Sequence, residues 1–96
     1  MHIVAIVHGG PDGFGVSFPD VPGCIAVGAT EQEALENAAE ALAFHLEGMQ
    51  ADGDVMPVPR TIDTLRADPE FSDDFAAHVA VALLPLSLPR AAQAAE

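Results

Sequence analysis

At 96 residues the chain has room for one small domain, and with half of its residues apolar it can build a core, though a modest one that a partner would help to cover. Three basic residues against fifteen acidic ones give a formal charge of −12, with no lysine and no arginine before Arg60, which sets the chain against phosphate and so against direct nucleic-acid binding. A single cysteine excludes an intramolecular disulfide, and no charged leader or apolar run of membrane-spanning length is visible, so a cytoplasmic protein without membrane contact is expected.

Met1 to Val7 is continuously apolar apart from His2, which predicts a first strand covered on both faces or buried between copies. A homodimer or larger assembly is expected on that ground. Pro11-Asp12-Gly13 then reads as a hairpin connection. Phe14, Val16 and Phe18 alternate with Gly15 and Ser17 as a half-buried strand, which Pro19, Pro22 and Gly23 bring to a stop. Pro22-Gly23 suits a type II turn, and Cys24 to Val27 follows as a third strand. Cys24 has no cation beside it in the sequence to stabilise a thiolate, so it reads as a small core residue.

Thr30 with Glu33 fits a capping box, so a helix is expected from Glu31. Leu35, Ala38, Ala39, Leu42, Leu46 and Met49 form one apolar stripe along it, with Glu33, Glu36, Glu40 and Glu47 on the opposite side. Gly53, after Asp52, is a plausible left-handed stop. Asp52 to Pro59 reads as irregular, Thr61 to Ala67 as two helical turns at most, and Asp68-Pro69 as the cap of a further short turn. Ala77 to Leu84 is a fourth strand ended by Pro85, and its place after a helical crossover predicts parallel pairing. One domain over residues 1–88 and a frayed tail over 89–96 are therefore expected.

The resulting class is α+β: a three-stranded antiparallel meander, one main helix, a short helix and a fourth strand in a mixed sheet, β-β-β-α-(short α)-β, as in the front half of a ribonuclease H-like fold. Such a fold invites a search for a two-metal carboxylate cluster. The first and fourth strands should present those acids, and they carry none. Asp12 and Asp20 fall in turns, where aspartate is expected to bond local backbone. His2, His8, His45 and His78 lack metal-ligand spacing, although His2 and His78 would approach each other if the first and last strands paired. Gly9, Gly10, Gly13 and Gly15 precede a strand, not a helix, and so make no phosphate loop; Ser17 has no nucleophile elbow around it. No catalytic residue, metal or cofactor is assigned.

The runs FGVSFPDVPGC and AVGATEQEALENAAEALAFHLE, followed by PVP and AHVAVALLPL, resemble the HicB family of antitoxins over about Met1 to Leu88. The most specific part is the combination of strand, FPD-PGC turn and capped helix. The resemblance implies a partially degraded ribonuclease H-like domain that binds and neutralises HicA, a small basic ribonuclease toxin, in a bacterial type II pair. The missing strand carboxylates agree with a fold used for binding. HicB proteins usually continue into a ribbon-helix-helix or helix-turn-helix segment, which has no counterpart in the quoted runs, so no DNA-reading residue is assigned. Toxin contact is expected at the loop Pro19, Asp20, Val21, Pro22, Gly23 and at Glu33, Glu36, Glu40 and Glu47. A residual ribonuclease H-like hydrolase and an orphan self-assembling structural or small-ligand-binding module are the alternatives.

Overall fold

The apolar N-terminal run becomes a nine-residue strand, His2–Gly10 (β1), in a computed structural model that describes residues 1–77 and 80–86. Gly13–Ser17 (β2) returns antiparallel across the Pro11-Asp12 connection, with Gly10 opposite Gly13 and Val7 opposite Val16. Ile25–Gly28 (β3) then pairs antiparallel with β2, placing Ala26 opposite Val16. Between β2 and β3 the expected type II turn forms: the Cys24 N–H donates to the Val21 carbonyl at 3.1 Å, and Gly23 has φ +88°.

The helix Glu31–Ala51 (α1) starts where its cap predicts, the Thr30 hydroxyl accepting from the Glu33 N–H at 3.0 Å. The Glu33 carboxylate reaches one residue further back than a reciprocal box would, and accepts from the Ala29 N–H at 2.8 Å. At the far end Gly53 has φ +77°, a left-handed conformation that halts the helix without a Cβ penalty. The buried side is Ala34, Ala38, Leu42 and Leu46. The expected stripe was therefore rotated by part of a turn: Ala34 belongs to it, Ala39 is exposed, and Leu35 and Met49 lie on its flanks.

Both faces of β1 are covered within the chain. Ile3, Ala5 and Val7 pack with Val16, Phe18, Val21 and Cys24 beneath α1, while Val4 and Ile6 point the other way and meet Leu65 and Phe75. Those two residues come from Ile62–Arg66 (α2) and Ser72–Ala77 (α3), which are joined by a 3₁₀ turn at Pro69–Phe71. Thr61 caps α2, and Asp68 caps the 3₁₀ turn by accepting from the Glu70 N–H at 2.9 Å, as its place before Pro69 suggests. The strand for which a second copy was one expected cover thus has a short-helix layer of its own.

Ala80–Pro85 (β4) completes a sheet of order β3-β2-β1-β4 in which every pairing is antiparallel. This corrects the parallel fourth strand and the mixed sheet expected from the crossover. The reason lies in an extra traverse. The start of α1 lies against Gly28, and its later residues Leu42 and Leu46 lie near Pro85, at the opposite end of the sheet. A single return from there would run parallel to β1, but α2 and α3 carry the chain back along the second face. β4 therefore begins beside Val7, opposite Ala80, and finishes with Pro85 opposite His2. His2 is thereby placed at the end of β4 instead of its start; His78, its expected neighbour, and the tail 89–96 lie outside the described residues.

Candidate functional site

Two surfaces collect the residues expected to make contact. The first is the Pro19–Gly23 turn, where the structure divides the loop into an inner and an outer part. Asp20 does not bond its local backbone: Oδ2 accepts from the Arg60 backbone N–H and Oδ1 from Arg60 Nε, each at 2.7 Å. The Asp20 side chain is only 6% exposed, and Arg60 Nη1 reaches on to Asp68 Oδ2 at 3.1 Å. The hydrogen bond to Asp20 raises the guanidinium further above its ordinary range; desolvation opposes it, and the charges of Asp20 and Asp68 reinforce it. Arg60 also lies over the Phe71 ring, 5.4 Å from its centre. Residues forty apart in the chain are joined in this way, and the turn is held to the segment that leads into α2.

Pro19 and Val21 are buried as well, Val21 at 2% exposure inside the main core, with its N–H donating to the Phe18 carbonyl at 3.0 Å. Pro22 and Gly23 point outward. Beside the turn lies a cleft of about 390 Å³ walled by Phe18, Cys24 and Phe71, with Glu70 and Asp74 on its rim. Burial pushes the Cys24 thiol above its ordinary value, consistent with the core role expected of it.

The second surface is the outer side of α1. Glu33, Glu36, Glu40 and Glu47 are all exposed there, Glu33 engaged in the cap and Glu36 accepting from Gln32 Nε2 at 3.2 Å. Among them stands Phe44, 79% exposed. Sequence reasoning passed over Phe44 because the apolar stripe was followed and its exceptions were not. The signal was an aromatic two residues beyond Leu42, a spacing that turns it about 160° away from the buried side.

At the edge of the sheet Ile25 and Val27 of β3 are exposed, and Asn37 Nδ2 donates to the Val27 carbonyl at 2.8 Å, which occupies one backbone acceptor of this outermost strand. Beside the opposite edge a groove of about 750 Å³ runs between Leu83 of β4 and the segment from Val58 to Arg66. Among the described residues no three His, Cys, Asp or Glu side chains gather closely enough to hold a metal ion, and no helix is long and apolar enough to cross a membrane. These surfaces offer shape, apolar contact and negative charge, which are the means of macromolecular recognition.

Several known proteins share this arrangement. The N-terminal domain of Burkholderia pseudomallei antitoxin HicB superimposes with a TM-score of 0.73 at 31% identity, over 92% of this chain and 100% of that one. A chain of the HicA3 and HicB3 toxin-antitoxin complex matches with a TM-score of 0.71 at 25% identity, over 91% of this chain and 99% of the other. In sequence, a 14.9 kDa protein from the rep-hol intergenic region of Haemophilus phage HP1 is 47% identical over 62 residues, and Antitoxin HicB 1 of Photorhabdus laumondii is 43% identical over 47. Those stretches cover 65% and 49% of this chain but only 47% and 30% of the two relatives, so it spans less than half of their length. The family model for the HicB-like antitoxins of bacterial toxin-antitoxin systems matches residues 2–92. With that match along nearly the whole chain, and the same four-stranded sheet and main helix, the protein belongs to the HicB-like antitoxin family.

Proposed function

We propose that the chain binds and neutralises a small basic, mRNA-cleaving toxin of the HicA type, masking the toxin's RNA-contacting surface without any catalysis of its own. The observation that carries this reading is the correspondence with a chain of the HicA3 and HicB3 complex along nine-tenths of the fold. The charge of −12 supports it independently, because it favours a basic partner and opposes nucleic acid. Contact is assigned to Pro22 and Gly23 at the tip of the turn and to Glu33, Glu36, Glu40 and Glu47. Pro19, Asp20 and Val21 contribute from beneath by fixing the turn's shape. The toxin acts on mRNA, so the pair would meet in the cytoplasm.

Surface plasmon resonance against the product of the neighbouring gene tests the reading. Wild type should bind, and the double variant E36K/E40K should associate about tenfold more slowly at low salt with little change in dissociation, since rim charges act mainly on encounter. Failure of wild type to bind would refute the antitoxin reading, while an unchanged association rate in the variant would move the interface off α1.

Self-association to a homodimer or larger is proposed as well, now through a sheet edge, because β1 is already covered. The β4 edge beside the large groove is the better candidate, since Asn37 takes up part of β3. Light scattering at micromolar concentration should give a mass above the 9.9 kDa of one chain, and a constant single-chain mass would exclude it.

A further inference from the structure

Among the described residues Phe44 is the one phenylalanine that packs into neither core cluster. There is no tryptophan or tyrosine, and the other four phenylalanines all pack: Phe14 and Phe18 against the main cluster beneath α1, Phe71 and Phe75 in the cluster on the second face. Phe44 belongs to neither and is 79% exposed. Single apolar side chains are ordinary on protein surfaces. The setting of this one is distinctive. Glu40 and Glu47 are its neighbours at i−4 and i+3, on the adjacent turns, and Glu33 and Glu36 continue the same side toward the start of the helix. No lysine or arginine lies anywhere on α1. Ala41 and Gly48 flank it on the other side, so an apolar centre is bordered along one side by charge of one sign, the layout of an interface anchor beside a polar rim, and here the rim selects a basic surface.

We infer that Phe44 is the anchor of the interface on α1, inserting into an apolar pocket of a basic protein partner while Glu40 and Glu47 meet cations at the pocket's edge. The inference rests on the antitoxin reading and adds the residue whose desolvation holds the complex together. The glutamates and the phenylalanine then have separable roles. The charges govern how fast the partners meet; the ring governs how long they stay.

Removing the ring should not harm the fold, because it touches neither core cluster and alanine is the better helix former. Thermal denaturation of F44A should therefore give a midpoint no lower than wild type. Binding of the neighbouring gene's product should weaken by about 30-fold or more, the change that corresponds to a 2 kcal/mol anchor, and the loss should lie mainly in dissociation. F44L should fall between the two. Wild-type binding with F44A within threefold of it overturns the inference and leaves the antitoxin reading standing. No wild-type binding overturns both. A mass that falls on F44A substitution, with partner affinity unchanged, overturns the inference in favour of a contact between copies.

Discussion

Val21→Asp is expected to remove about 6 kcal/mol of stability, roughly half or more of what the domain has, and so to weaken partner binding by destabilising the domain itself. Val21 lies in the FPDVPGC turn, where an interface role is the natural first assumption. At 2% exposure within the main cluster, however, it is a core residue that happens to sit in a turn. Losing its burial costs about 1.5–3 kcal/mol. The carboxylate must then either stay charged in an apolar site or take up a proton at neutral pH, and a pKa forced up by about three units adds roughly 4 kcal/mol. A chain of this length has only about 5–14 kcal/mol of stability to lose. Arg60 offers no rescue, being committed to Asp20 and Asp68. Far-ultraviolet circular dichroism and a urea titration would measure this, and a wild-type midpoint would place Val21 on the surface.

Gly28→Ala should be nearly as damaging, for a different reason. A Cβ at Gly28 would collide with the Ala34 nitrogen and stand 2.8 Å from its Cα and 2.9 Å from the Glu33 carbonyl carbon. All three are backbone atoms of the first turn of α1, so no side chain can rotate out of the way. Either β3 or the helix start must shift, and the cap made by Thr30 and Glu33 shifts with it. A loss of about 3 kcal/mol is expected, the upper end of the usual range for overpacking. Gly48→Ala supplies the control, since it lies inside α1 with nothing within 4 Å of the added atom. It should gain about 0.5–1 kcal/mol from helix propensity alone. Equal midpoints for the two variants in thermal denaturation would contradict the packing described for β3 and α1.

What could be read from the sequence was what neighbouring residues decide among themselves. Thr30 and Glu33 announced the start of α1, Gly53 its end, Pro22-Gly23 the turn and Asp68-Pro69 a cap, because each is a local exchange of hydrogen bonds or a backbone preference. The direction of β4 was not legible, since it depends on how many times the intervening chain crosses the sheet, and α3 gave little warning in Ser72-Asp73-Asp74. The bond between Asp20 and Arg60 was hidden by its span of forty residues. In the candidate site the acidic side of α1 was visible from spacing, whereas the division of the turn into half-buried Asp20, buried Val21 and outward Pro22 and Gly23 needed the packing.

The central position of β1 carries a consequence for the life of the chain before it is folded. β1 pairs with β4, His2 meeting Pro85, so during translation β1 keeps a bare edge until β4 emerges and an uncovered apolar face until α2 and α3 do. The meander and α1 can assemble as they emerge, but Val4 and Ile6 stay wet until Leu65 and Phe75 arrive, and the open edge persists until β4 has left the ribosome. A fragment that stops short of Asp68 and Phe71 would lack part of what holds Arg60, and with it the turn anchored through Asp20, in place.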